Sequence, residues 1–393
     1  MLTFDEAIAT LEKSITPAIH LEDVPLEECL HRTLATGVIA DRPLPPFNRA
    51  TMDGFAVVAS DVKNGVTLPI VGTVSAGDAC ELEGSSGRCV SIATGAPVPI
   101  GFDAVVKHES TRFTKTEVEF LLDDVMPGTA IHPKGADALC GEVLIEPSTV
   151  LGQQHIGIAA AVGAICLTVR KSIRLCVLSS GDELVESSET PKTHQIRNSN
   201  SSMLRTLFES MGCHVSLQSI GDDEQQTVKV LEEVCDVNDV VVTIGGISAG
   251  KKDFVIPALE ALSAHHIIKG VAMQPGKPVY VGTCQNAIVL GLPGNPVSAL
   301  VCATLFGKAV LRKFMGLQVA PKFHEVTLLN DIKPNRNREM YRPCVREFSG
   351  VTIPEWQGSG DLVHTATTTG IVRIPKQTDD IASGTTVQYL PWN

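Results

Sequence analysis

At 393 residues the chain exceeds what one ordinary hydrophobic core organises and reads as roughly two to four domains. Hydrophobic residues make up 44% and charged residues 19%, which excludes a disordered chain; a net charge of −12 argues against nucleic acid and acidic membrane surfaces as partners. The 11 cysteines form no CxxC pair and no Cys/His run at zinc-ligand spacing, so they read as small core residues of a reduced, cytoplasmic protein.

The chain opens with a capping-box pattern, Thr3 with Glu6, at the head of an amphipathic helix. Asp5 and Glu6 stand where an export signal would carry positive charge, so none is expected. A proline-rich loop, DRPLPPFNRATMDG, then delivers Asn48, Arg49, Thr51 and Asp53 from a stiff backbone. On composition alone, Asp53 before Gly54 fits a turn-former as well as a functional carboxylate. From Phe55 to about His132, short β-branched runs divided by Gly, Pro and Asp predict a small β-rich lobe, with Thr94 in one of its turns. A turn around Lys134, Gly135 and Asp137 follows. Residues 147–169 lack formal charge, yet Gln153, Gln154 and His155 make a buried helix the better reading than a membrane span.

At Ser172 the pattern changes to strands alternating with helices, which predicts βαβ units and a parallel sheet. IRLCVLSS runs into a turn with Asp182 and Glu183; NSNSSMLRTLFESMG is a helix capped near Asn198 and closed by Gly212. Asp222 and Asp223 lie between a strand and a helix, where capping and ligation fit Asp222 equally. DVVVTIGGISAGKKDF breaks from a buried strand into a turn with Gly245, Gly246, Ser248, Lys251, Lys252 and Asp253. Lys277 stands in a PGKP turn. A second apolar run ends in Pro293 and Gly294, after which Asn295 and Pro296 occupy N-cap and first helical positions, with Ser298 just inside the helix. Residues 321–393 return to short strands and contribute Arg342 and a turn with Ser359.

The expected fold is therefore multidomain α/β plus β: a central parallel-sheet α/β domain at 172–320, a β-rich inserted lobe at 50–138, and a C-terminal β-barrel-like domain at 321–393. Residues 1–49 and 139–171 form a discontinuous N-terminal domain. In open α/β sheets ligands bind beyond the carboxyl ends of the strands. Glu183, Asp222 and Asp253 fall there with the glycine turns, a pattern that suits an anionic ligand accompanied by Mg²⁺.

The motifs PPFNRATMDGFAV, IATGAPVP, SSGDEL, IRNSN, GGISAGKKDF, PGKP and GLPGNPVSA occur in the order found in the molybdopterin molybdenumtransferases, the MoeA and gephyrin E-domain type, which the chain resembles over nearly its whole length. The resemblance implies a homodimeric enzyme that inserts molybdate into adenylylated molybdopterin and releases AMP, dependent on Mg²⁺, with the α/β domain binding molybdopterin. Carried over position by position, it implies catalytic roles for Asp53, Thr94, Glu183, Asp222 and Asp253, of which the last three would hold the metal. It implies substrate contacts from Asp137, Gly245, Gly246, Ser248, Lys277, Pro293, Gly294, Asn295, Pro296, Ser298, Arg342 and Ser359. The molybdopterin adenylyltransferase of the same pathway is an implied partner. Gln274 stands where some relatives have a second lysine, and Val363, His364 and Thr369 depart from a pattern of serines and an asparagine. Two other readings are a non-enzymatic pterin-binding scaffold and adenylyltransferase-like nucleotide chemistry. The long fused linker that would favour the first is missing, and the second would not need the N-terminal 170 residues or the C-terminal β domain.

Overall fold

The structure, a computed structural model, describes residues 1–79, 82–247 and 253–392. It divides into two compact units: a larger one of Met1–Glu22, His31–Thr33 and Thr168–Asn393, and a smaller one of Asp23–Leu30 and Leu34–Leu167.

The larger unit is built on a six-stranded sheet. Its strands β1 (Arg174–Ser180), β2 (His214–Ile220), β3 (Val240–Ile244), β4 (His265–Lys269), β5 (Tyr280–Cys284) and β6 (Ala287–Leu292) lie in the order β2-β1-β3-β6-β5-β4. Strands β2, β1, β3 and β6 are mutually parallel, as the alternation of strands and helices predicts. Strand β5 runs antiparallel to β6, which makes the sheet mixed. Only Gln285 and Asn286 separate these two strands, and so short a link can form a hairpin but not a crossover.

Four helices matter for the core: α1 (Phe4–Ser14), α2 (Ser199–Glu209), α3 (Glu224–Val237) and α4 (Val255–Ala261). Side chains alternate along β3, so Val240, Val242 and Ile244 pack with Phe4 and Leu11 of α1 and Leu204 and Phe208 of α2. Val241 packs on the other face with Leu231 and Val234 of α3 and Leu259 of α4. Burial on both faces is why this strand reads as a nearly continuous apolar run, broken only by Thr243.

Helix α1 carries the expected capping box: Glu6 N–H donates to Thr3 Oγ1 at 3.3 Å, and Thr3 N–H donates to Glu6 Oε2 at 2.8 Å. Met1–Glu22 fall in the larger unit. The physical reason is the burial of Phe4, Ala7, Ile8 and Leu11 in the core of the sheet. A second sheet in this unit pairs Glu339–Arg346, Gly370–Ile374, Thr386–Pro391 and His324–Thr327 antiparallel, around Leu328, Cys344, Val372 and Ile374.

The smaller unit holds a six-stranded sheet in the order Ala104–Lys107, Gly54–Val57, Cys89–Ile92, Thr67–Val74, Glu117–Phe120, Thr111–Phe113. The uncharged stretch at 147–169 forms only a nine-residue helix, Gln153–Ala161, and it is not buried as the sequence reading held. Ala159 alone among its residues is buried, and Ile165 beyond it is 85% exposed. Gly163, at φ +77°, lies in the turn after the helix, and the chain continues into the strand Cys166–Arg170. Among the described residues no helix is long and apolar enough to cross a membrane.

Candidate functional site

The four parallel strands of the larger sheet end along one edge, at Ser180, Ile220, Ile244 and Leu292. The turns that follow them supply Gly181 and Glu183, Asp222, Gly245 and Gly246, and Pro293 and Gly294, all lining one cavity of about 820 Å³. Asp253, Asn295, Pro296 and Ser298 line it as well. Parallel connectivity gathers turns from distant stretches of sequence at one place, which is why such sheets bind ligands there.

The turns are shaped by local constraints. Gly245 and Gly246 have φ of +82° and +66°, a region costly for other residues, and a Cβ on Gly246 would come within 2.7 Å of Val255 Cγ2. Asp223, not Asp222, caps α3, its Oδ1 accepting from Gln226 N–H at 2.7 Å. Asp222 lines the cavity, and its N–H donates to Asp182 Oδ1 at 3.0 Å. Neighbouring carboxylates thus divide the work: Asp182 and Asp223 hold backbone, while Asp222 faces the cavity.

Helix α2 begins at the cavity wall. Asn198 Oδ1 accepts from Ser201 N–H at 3.1 Å, and its Nδ2 donates to Ser179 Oγ at 2.9 Å, so this buried residue ties the helix start to the end of β1. Asn200 Nδ2 donates to the Gly294 carbonyl at 2.7 Å, linking the helix to the Pro-Gly turn. Asn295 and Pro296 take their expected N-cap and first helical positions, but the Asn295 side chain does not cap. Its Nδ2 donates instead to Ser359 Oγ at 2.9 Å, while Val297 N–H donates to the Ser359 carbonyl at 3.0 Å. A turn between the Glu339–Arg346 and Gly370–Ile374 strands of the second sheet is thereby pinned to the cavity, where Gly360 also lines the wall.

Not every predicted residue arrives there. Gly276 and Pro278 line the cavity, whereas Lys277 between them is exposed and outside the lining. Arg342 lies in a separate recess with Trp356, Asp361 and His364, its guanidinium 4.2 Å above the Trp356 ring. Burial pulls its pKa down to about 10, and its Nε has no partner among the described residues. His364 Nδ1 sits 2.7 Å from Asp361 Oδ1, and Gln274 Oε1 accepts from Asn335 Nδ2 at 2.6 Å. Ser248, Lys251 and Lys252 lie outside the described residues.

Asp53, Thr94 and Asp137 belong to the smaller unit. Asp53 Oδ1 accepts from Thr94 N–H at 2.6 Å and from Thr94 Oγ1 at 2.8 Å, and these bonds, the backbone one foremost, hold the carboxyl below its usual pKa. Asp137 Oδ1 is 2.8 Å from His132 Nε2, a pairing that sequence reasoning did not anticipate.

Arg197, Asn198 and Asn200 line the cavity although none was singled out as a site residue. The signal was present in IRNSN, a polar run at a helix start directly after a strand. Among the described lining residues, Arg197 is the one cation, set against Glu183, Asp222 and Asp253. A divalent cation bound together with a multiply charged anion would offset these carboxylates. Among the described residues no three His, Cys, Asp or Glu side chains converge as a ready-made metal cage. The donor chemistry fits Mg²⁺ shared between one or two carboxylates and a ligand's phosphate oxygens, which is how that ion is commonly held.

Comparison with known proteins covers the chain from end to end. Residues 2–163 match the MoeA N-terminal region (domains I and II), residues 176–313 the probable molybdopterin binding domain, and residues 325–392 the MoeA C-terminal region (domain IV). Molybdopterin molybdenumtransferase 2 of Mycobacterium tuberculosis is 32% identical over 379 residues, covering 93% of each chain. The molybdopterin molybdenumtransferase of Haemophilus influenzae is 29% identical over 401 residues, covering 100% of this chain and 99% of its own. Among solved structures, a molybdopterin biosynthesis MoeA protein from Pyrococcus horikoshii superposes over the full length of both chains with a TM-score of 0.84 at 25% identity.

Proposed function

Because the chain belongs to the MoeA family of molybdopterin molybdenumtransferases, enzymes of molybdenum cofactor biosynthesis, we propose that it inserts molybdate into adenylylated molybdopterin and releases AMP, with Mg²⁺. The observation that carries this reading is that Glu183, Asp222 and Asp253 line the same cavity as the glycine turns at Gly245 and Gly294. Its volume suits a pterin-sized ligand.

The roles follow from the chemistry of the lining. Backbone N–H groups at the glycine turns would receive anionic oxygens, and the Ser298 hydroxyl can join them. Arg197 is the cation among the described lining residues, and the role of the exposed Lys277 rests on the family resemblance. Of Glu183, Asp222 and Asp253, one or two together with the ligand's phosphate oxygens would hold Mg²⁺, and the ion would supply positive charge opposite the phosphoanhydride. No side-chain nucleophile is needed, since the dithiolene sulfurs and the oxyanion carry the bond making. The roles of Asp53 and Thr94, which lie in the smaller unit, rest on the family resemblance alone. A four-domain homodimer is part of the proposal, supported by exposed apolar side chains such as Ile165 on the smaller unit, as are a cytoplasmic location and a pathway adenylyltransferase as partner.

The test is AMP release from adenylylated molybdopterin, with and without molybdate and with and without Mg²⁺, by the intact chain and by Asp253→Asn. Release that requires both ions and falls at least about a hundredfold in the variant is the expected result. A chain that binds the pterin yet releases no AMP would sink the catalytic reading and leave a pterin-binding scaffold.

A further inference from the structure

We infer that the larger unit carries a second anion site, distinct from the cavity at the strand ends, built to take a tetrahedral dianion such as phosphate or molybdate. It is a recess of about 220 Å³ between the Lys308–Phe314 helix, the segment around Val319–His324 and the end of the Thr386–Pro391 strand. Lys308, Arg312, Lys322 and His324 line it, and among the described residues none that lines it is acidic.

Such a grouping is out of character for this chain. Its net charge is −12, and several of its other arginines face carboxylates, Arg174 with Asp239, Arg205 with Glu209 and Arg373 with Asp5 and Glu339. Among the described residues none of the four groups in the recess pairs with a carboxylate. Lys308 and Arg312 stand four residues apart on one helix, where like charges repel. Lys308 is partly buried, and both desolvation and Arg312 oppose its charge. An anion between them would relieve both costs.

The two side chains are also held in place. Lys308 Nζ donates to the Trp392 carbonyl, and Arg312 Nε donates to the Gln318 carbonyl at 2.5 Å. Each keeps further N–H groups for a ligand. Leu305 and Val319 wall the recess with apolar surface, which strengthens a charge pair formed there. Its volume falls short of the roughly 300–1,000 Å³ typical of organic-ligand pockets, so a small ion fits better than a nucleotide.

The experiment is calorimetric titration of the full chain with inorganic phosphate and, separately, with molybdate. It compares the parent, the double variant Lys308→Met/Arg312→Gln, and Arg197→Ala as a control in the other cavity. At least one of the two ions should bind at one site per chain, survive Arg197→Ala, and weaken at least about tenfold in the double variant. Failure of both ions to bind, or binding lost in Arg197→Ala and kept in the double variant, would overturn the site. Should the double variant fail to fold, Lys322→Gln on the exposed rim replaces it, and unchanged affinity there would count equally against the proposal. Neither titration depends on turnover, so the result stands apart from the proposed transferase activity.

Discussion

At the scale of single residues, the sequence identified which carboxylates cluster but not how they share the work. DEL and GDDE place Asp182, Glu183, Asp222 and Asp223 after strands, yet only the fold shows Asp182 and Asp223 spent on backbone N–H groups and Asp222 left on the cavity wall. Asp53 presents the same ambiguity, and its hydrogen bonds make it testable. Two donations from Thr94 favour its charged form, so its folded pKa is depressed. The contact therefore adds stability above the usual carboxylate pKa and loses it as pH falls through the lower folded value. Thr94→Val removes the hydroxyl and keeps the N–H, so the Asp53 carboxyl should titrate nearer its usual value while staying below it. A carboxyl ¹³C titration by NMR reads this directly. An unmoved pKa would assign the whole effect to the backbone bond.

At the scale of elements, caps and turns were the most legible features because their chemistry is local. Thr3, Asn198 and Asp223 cap the helices their sequence contexts indicate. The Asn295 side chain departs from this pattern because Ser359, 64 residues away, claims its amide, and no local rule reports such a partner. The PGKP turn shows a similar limit. Its glycine was readable as a turn former, but not its contact with Cys302: Gly276 has φ +101°, and a Cβ there would lie 2.3 Å from the buried Sγ. Gly276→Ala should cost about 2–4 kcal/mol, part from overpacking and part from the left-handed backbone. In a Cys302→Ala background the same substitution should cost less, leaving chiefly the backbone part of about 1–2 kcal/mol. Denaturant melts of the four proteins close the cycle, and equal costs in both backgrounds would refute the steric account.

At the scale of the whole molecule, the alternation of strands and helices after Ser172 sufficed for the parallel half of the sheet, since crossovers are written in sequence as helices between strands. What it could not show was where helix α1 goes, because an amphipathic helix declares an apolar face but not its partner. Tertiary contacts decide that. Phe4 packs at 5.6 Å from Phe306 and 5.3 Å from Tyr341, and Arg373 bonds both Asp5 of α1 and Glu339 of the second sheet. One guanidinium thus ties the first helix of the chain to its last sheet. The two carboxylates are not equal partners: Asp5 is 68% exposed and Glu339 22%. Asp5→Asn breaks a solvent-screened pair and should cost under about 1 kcal/mol. Arg373→Leu strands Glu339 in a half-buried site and should cost about 2–4 kcal/mol, with a lower melting temperature. Adding Glu339→Gln to Arg373→Leu should recover part of that loss by removing the unpaired charge. If it recovers nothing, the loss comes from the packing of Arg373 over Phe4 and Phe323, at 5.4 and 5.9 Å from their rings, rather than from the stranded carboxylate.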